Sequence, residues 1–290
     1  MDIDNLSTFL IVARQGSMAA AGRELGLTAN AVALRMRALE QEFGAPLVSR
    51  AGRRVVPTEA GHRVLDRLPG ILSEIGALKA TVHSDEIAGE LRVGAIATAL
   101  TGLFPPLLQT LTVRYPRLKL HLEPGSSAQL YERVDRGLLD MAAIVAPDFA
   151  MPKSLQFTGL RREPLILLAP DSETLRDPLE ILQARPVIVY DRNQWGGRLA
   201  WNWLKQTGIA LRTDYELDAL DAIAVMVDRG LGVAVVPDWC EPRPAGLHLQ
   251  TLHLPDPVPS RVIGLLRGQG GPKARLVGAL GEIARGIWSI

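Results

Sequence analysis

A small helical N-terminal domain, joined by a long helix to a larger α/β domain, is the fold class this sequence predicts. Three observations predict it. Residues 1–57 place their apolar side chains mostly at helical spacing, residues 58–83 hold a 3.5-residue period, and apolar runs alternate with helical patterns beyond Glu86. The length of 290 residues suits about two domains.

Along the first segment, Leu6, Phe9, Leu10 and Ala13 recur at helical spacing after Asp4, and Ser17 stands as the N-cap of a second helix ending near Leu25. Gly26-Leu27 then turns into a third helix, TANAVALRMRALEQEFG. Thr28 holds its N-cap position and Gly44 the position just past its end. Val32, Met36, Leu39 and Phe43 form one apolar stripe on this helix. The face farthest from the stripe carries Asn30, Leu34, Arg37 and Gln41, a mixture of amides, an isolated leucine and a cation. Two short helices joined by such a turn, the second amphipathic, describe a helix-turn-helix. In PLVSRAGRRVVPTEAG, Leu47–Arg50 and Arg53–Pro57 read as two short strands around Ala51-Gly52. Arg50, Arg53 and Arg54 lie close together there, as in a basic wing.

In residues 58–83, Val64, Leu68, Ile71, Ile75, Leu78 and Val82 follow the alternating four-and-three spacing of a coiled-coil seam. Pro69 is expected to kink this helix. A helix packed on its own domain is the open alternative. From Val93 to Val113 no charged residue appears, but Pro105 and Pro106 interrupt the run, so it reads as a strand followed by a buried helix rather than a membrane span.

The remaining runs, LRVGAI, LKLHLE, MAAIVA, PLILLAP, PVIVY, VAVVP and RVIGLL, imply an α/β fold with a largely parallel sheet. They form two comparable blocks, with breaks near residues 160 and 267 where RREP and RGQGG intervene.

Composition narrows the function. At 47% hydrophobic and 22% charged, the chain reads as a soluble globular protein, and its net charge of +1 argues against wholesale polyanion binding while allowing a local basic patch. One cysteine, Cys240, cannot form an internal disulfide and fits a reducing compartment; the opening MDIDNLSTFL is acidic rather than a basic leader. His62, His83, His121, His248 and His253 are dispersed, Cys240 reads as a small buried hydrophobe, and neither a GxSxG elbow nor a Walker A loop occurs. The glycines of GLGVAV follow a helix over 221–229 and precede a strand, the reverse of a dinucleotide loop, which makes Gly230 a helix C-cap. Asp218 and Asp221 have N-cap and N3 spacing at the start of that helix.

Taken together, SMAAAGRELGLTANAVALRMRALEQEFGAPLVSRAGRRVVPTEAG resembles the winged helix-turn-helix of LysR-type transcriptional regulators. LRVGA, RYPRLKLHLEPG, GLLDMAAI and GLGVAVVP resemble, in order, the element boundaries of their effector-binding domain. The resemblance spans essentially the whole chain and implies a bacterial, cytoplasmic transcriptional regulator with no enzymatic activity and no cofactor. It implies a winged helix-turn-helix over 1–57, a linker and dimerisation helix over 58–84, and an effector-binding domain of periplasmic-binding-protein type over 90–290. Lobe I is expected over 90–160 plus 267–290, and lobe II over 161–266. Expected partners are double-stranded DNA, a small-molecule co-inducer in the cleft, a second copy paired through the linker helix within a homotetramer, and RNA polymerase, but no membrane.

Family DNA contacts map onto Thr28 at the start of the recognition helix and Arg53 and Arg54 in the wing. Two positions depart from the family: Ala33 replaces a usual serine and Leu34 a usual polar residue. Gly22 also replaces a usual alanine, a helix-propensity loss of about 1 kcal/mol. Asn30 is suited to an adenine edge and Leu34 to a thymine methyl, while Arg35 and Arg37 are suited to phosphate. An exposed Leu34 without a base contact is the open alternative. For the effector, Thr98 and Thr101 stand near a helix N-terminus suited to a carboxylate, Ser126 and Ser127 follow a second strand, and Asn193, Gln194 and Trp195 follow PVIVY. Each of these hydroxyls is equally suited to capping a helix. A solute-binding receptor shares the two lobes but leaves residues 1–83 without a role, and an α/β enzyme lacks a nucleophile–base pair or metal cluster.

Overall fold

Four short polar side chains open the helices of the N-terminal unit. Asp2 Oδ1 accepts from the Asp4 N–H at 2.9 Å, Ser17 Oγ from Ala20 at 3.3 Å, Thr28 Oγ1 from Ala31 at 3.2 Å and Thr58 Oγ1 from Gly61 at 3.0 Å. They start α1 (Ile3–Gln15), α2 (Met18–Leu25), α3 (Ala29–Phe43) and α4 (Glu59–Leu65). Between α3 and α4, β1 (Val48–Ala51) and β2 (Arg54–Pro57) pair antiparallel as the wing. The computed structural model describes residues 2–52, 54–68, 70–72, 75, 88–239, 242–270 and 273–288. Arg53, Pro69, Leu78, Val82, His83 and Cys240 therefore lie outside the described residues.

The chain folds as two units, one built on residues 1–85 and the other on residues 86–135, 139–270 and 274–290. In the first, Leu6, Phe9 and Val12 of α1 pack with Ala21 of α2 and with Val32, Met36 and Leu39 of α3. Phe43, expected in the same stripe, is 40% exposed. At that end of α3 the neighbouring Glu40 carboxylate instead receives the Leu47 and Val48 N–H groups, at 2.8 and 3.1 Å, and fixes the entry to the wing. The Val55 N–H donates to the Gly16 carbonyl at 2.9 Å and ties the wing to the end of α1. Gly22 has a steric reason: a Cβ there would stand 2.6 Å from the Leu27 carbonyl oxygen, so its absence lets the turn lie against α2.

The segment after the wing differs from a single helix kinked at Pro69. α4 closes in a turn at Asp66 and Arg67, and helix resumes at Leu68. Leu68 is buried in this unit's own core, with Val64, Leu65 and Leu72 against it, whereas Ile71 is 41% exposed. Part of the 3.5-period stripe thus faces its own domain.

The second unit contains β3 (Gly89–Ala95), α5 (Ala97–Gly102), α6 (Phe104–Arg114), β4 (Leu118–Pro124), α7 (Ser127–Asp135), β5 (Met141–Val145) and β6 (Leu155–Pro170). It continues with α8 (Pro178–Ala184), β7 (Ile188–Tyr190), α9 (Trp195–Gln206), β8 (Tyr215–Leu217), α10 (Leu220–Asp228), β9 (Ala234–Pro237), β10 (Leu249–His253), β11 (Ser260–Gly268) and α11 (Ala274–Ile287). The uncharged run from Val93 to Val113 spans β3, α5 and α6, and no helix among the described residues is long and apolar enough to cross a membrane.

The main sheet is mixed rather than largely parallel. β3 pairs in parallel with β4 and β5, but β11 runs antiparallel to both β5 and β6. The second half of β6 lies antiparallel between β9 and β10. β7 and β8 form a separate parallel pair, tied to β9 by the Val187–Val233 bridge. Apolar runs alone do not distinguish these directions, because strands such as β5, β9 and the second half of β6 are buried on two faces. In β6, Leu165, Leu167 and Ala169 enter one core while Ile166 and Leu168 enter another.

RREP interrupts no strand, although the chain passes between the lobes there. It sits in the middle of the 16-residue β6, which leaves lobe I after Glu163 and enters lobe II at Leu165. β11 belongs to the lobe I sheet from Ile263 onward, where it pairs with β5, so the return to lobe I comes before residue 267. The glycines after Arg267 end a strand rather than a lobe. At the crossing, the Arg261 Nε donates to Glu163 Oε2 at 2.6 Å, and Arg161 Nε donates to Glu163 Oε1 at 3.1 Å. Glu163 is fully buried and Arg261 is 3% exposed.

Removing one member of such a pair leaves an uncompensated charge. Glu163→Gln should lower the stability of this unit by about 3–5 kcal/mol, whereas the double change Glu163→Leu with Arg261→Met should recover much of that loss. Urea unfolding of the three proteins measures both effects.

Candidate nucleic-acid interface and ligand cleft

Burying Val32, Met36 and Leu39 turns the opposite face of α3 to solvent. Asn30, Leu34, Arg37 and Gln41 are exposed there, Leu34 to 56%. Arg37 has no ion-pair partner among the described residues, so its charge is available. Arg35 is different. Its guanidinium reaches back to α1, 3.3 Å from Asp4 Oδ2 and 3.3 Å from Thr8 Oγ1, which orients α3 rather than extending the open face. Thr28 spends its hydroxyl on the N-cap, and Arg50 and Arg54 are exposed on the wing.

In the second unit, a cleft of about 450 Å³ lies where β6 and β11 cross. Lobe I contributes Thr98 from α5, Gly125 and Ser126 before α7 and Ser127 at its start; lobe II contributes Tyr190, Gln194, Trp195 and Asp218. Arg261 joins them. Besides its bond to Glu163, its Nη2 donates to Thr98 Oγ1 at 3.2 Å and its Nη1 to Tyr190 Oη at 3.4 Å. One buried guanidinium thereby fixes side chains from both walls.

The other hydroxyls divide between lining and capping. Ser126 Oγ accepts from the Gln129 N–H at 3.4 Å while Gln129 Oε1 accepts from the Ser126 N–H at 3.2 Å, a reciprocal cap on α7. Ser127 Oγ is buried and accepts from the Val145 N–H at 3.1 Å. Thr101 lies outside the cleft lining and donates to the Ala97 and Thr98 carbonyls. Asn193 is also outside; its backbone and side-chain amides donate to Asp191 Oδ1 at 2.9 and 3.0 Å. Gln194 lines the cleft and its Nε2 approaches Asp191 Oδ2 at 3.4 Å.

Trp195 closes one end. It packs edge-on to Tyr131 at 6.0 Å and to Phe149 at 5.6 Å, bringing a lobe II ring against two from lobe I. Beside them Arg198 of α9 contacts both carboxylate oxygens of Asp148, at 3.1 and 3.0 Å.

Three lining residues escape the sequence patterns. Tyr190 and Arg261 end or begin apolar strands and carry no local motif. Asp218 fits the start of a helix, but Ala219 is the N-cap of α10, and the Asp218 side chain borders the cleft. Burial and the nearby Asp191 charge raise its pKa above the ordinary 3.8, partly opposed by Arg261. Burial also raises the Tyr190 hydroxyl, which therefore stays protonated. His248 and His253 are exposed, and Gly230 follows α10 with a positive φ, away from the cleft lining.

A basic hairpin beside an open helix face, carried on the same chain as a two-walled cleft, defines a DNA-binding regulator with a ligand-binding domain. The LysR substrate binding domain matches residues 84–288, and the helix-turn-helix of bacterial regulatory proteins of the lysR family matches residues 3–62. The chain belongs to the LysR family of transcriptional regulators. It is 28% identical over 240 residues to the HTH-type transcriptional regulator YusT of Bacillus subtilis, covering 82% of this chain and 79% of that one. The fold is shared with a variant of full-length OxyR from Pseudomonas aeruginosa, at a TM-score of 0.73 and 21% identity over 98% of this chain and 95% of that one. It is shared too with full-length CbnR in complex with its target DNA, at a TM-score of 0.68 and 20% identity over 99% and 100% of the two chains.

The raised pKa of Asp218 has a stability consequence. Its ionised form is disfavoured in the folded state, so its contribution to stability falls as pH rises from 3.8 through the raised value. Asp218→Asn should therefore be more stable than the parent at pH 7, by less than about 1 kcal/mol, with the gap closing below about pH 4. Thermal unfolding across this pH range measures the difference.

Proposed function

We propose that this LysR-family protein is a ligand-responsive regulator that reads promoter DNA with α3 and its wing, and whose DNA binding or activation changes when a small molecule occupies the cleft. The observation that carries the DNA half is the open face of Asn30, Leu34 and Arg37 beside a basic wing. CbnR, of the same fold, is known in complex with target DNA, which supports the same use here. Asn30 pairs with an adenine edge, Leu34 contacts a thymine methyl, Arg37 holds phosphate, and Thr28, Arg53 and Arg54 add backbone contacts. Arg35 acts through α1 as a positioning residue.

In the cleft, Thr98, Ser126, Ser127, Gln194 and Trp195 are the effector-binding residues among those named from sequence, with Tyr190, Asp218 and Arg261 added by their place in the lining. Two copies pair through residues 58–83, where exposed Ile71 offers apolar surface, and dimers associate into a homotetramer. The regulator works in the cytoplasm, recruits RNA polymerase, and needs neither cofactor nor catalytic chemistry.

DNA binding is tested with the segment upstream of the protein's own gene, titrated at several salt concentrations. Arg37→Ala should weaken binding to all sequences and reduce the salt slope by about 1. Asn30→Ala and Leu34→Ala should each relax preference at a single base position by about 1–3 kcal/mol. Unchanged affinity and base preference in the last two variants would overturn the assigned base contacts, and salt-independent binding would overturn the reading as a DNA-binding face.

A further inference from the structure

The cleft lining carries two formal charges, and they are unequally engaged. Arg261 is 3% exposed, and three of its five N–H groups already have acceptors, in Glu163, Tyr190 and Thr98. Asp218, on the lobe II wall, has no hydrogen bond or ion pair among the described residues. The neighbouring acid is spoken for, because Asp191 accepts from Asn193 and Gln194. An anion placed here meets an arginine already neutralised in large part by Glu163 and a carboxylate that repels it. A cation meets an open carboxylate, a phenol oxygen and an indole ring.

We infer that the effector carries a positively charged nitrogen held by Asp218, with an apolar or aromatic body against Trp195. The inference deepens the proposed effector site and rests on it. It replaces the carboxylate expected near Thr98. α5 is only six residues long, and the Thr98 hydroxyl already accepts from Arg261. The volume of about 450 Å³ suits a small molecule with one ring. Polar groups at its far end would find Ser126, Gln129 and the two remaining Arg261 N–H groups, so a zwitterion with its ammonium on Asp218 also satisfies the site.

Three probes that share a phenyl ring and differ in charge test this with the full-length protein: 2-phenylethylamine, phenylalanine and 3-phenylpropionate, each titrated by calorimetry. Binding of the amine or the amino acid, weakened at least about tenfold by Asp218→Asn and by Trp195→Ala, is the expected result. Binding of 3-phenylpropionate that survives Asp218→Asn but is lost in Trp195→Ala overturns the charge assignment and leaves the cleft as the effector site. Binding by none of the three at millimolar concentration overturns the inference. The DNA titrations then judge the regulator reading independently.

Discussion

Glu163 is a carboxylate without solvent, set in the middle of β6 between Arg162 and Pro164 and opposite Arg261 on β11. It holds two guanidiniums, Arg261 across the strand pair and Arg161 two residues away along its own strand. Through Arg261 the same charge fixes a threonine from one lobe and a tyrosine from the other. Desolvating these ions is costly, and nothing in a hydrophobic core demands them. Their place at the only two strands seen to run through both lobes among the described residues explains their value: they define where the strands cross and which side chains face the space between the lobes.

That arrangement also accounts for what is legible in the sequence. Features set by neighbours in the chain read well. Ser17 and Thr28 cap the helices they precede, and the hairpin around Gly52 follows from its short apolar strands. Features set by distant partners do not. RREP looks like the end of a strand because charged residues and proline usually end strands, yet here Glu163 finds Arg261 about a hundred positions away and the strand runs on unbroken. Asp218 likewise satisfies the pattern of a helix start, and only the folded chain turns its carboxylate toward the cleft. Strand direction is hidden for the related reason that a run buried on two faces looks the same whether its neighbours are parallel or antiparallel.

On the N-terminal unit, adjacent cations separate by role. Arg35 and Arg37 are two residues apart, roughly 200° around the helix, so one turns to α1 while the other stays open. Composition treats them as equal charges; helical geometry does not. Leu34 gains meaning from the same geometry, since it is a large apolar side chain kept out of a core that has taken Val32, Met36 and Leu39. The face retains an amide, a cation and an apolar group, three recognition chemistries on neighbouring turns.

The two-strand joint makes lobe II a continuous excursion of the chain, leaving after Glu163 and returning at Arg261, while β3 and α11 both pack in the core of lobe I. In terms of modularity, the lobe II residues that line the cleft, Tyr190, Gln194, Trp195 and Asp218 among them, are encoded in one uninterrupted stretch. Such a stretch can diverge or be exchanged as a cassette between two fixed charges, with the strands of lobe I left unaltered. The lobe II lining of the cleft and the open face of α3 thus fall in separate spans of the same gene.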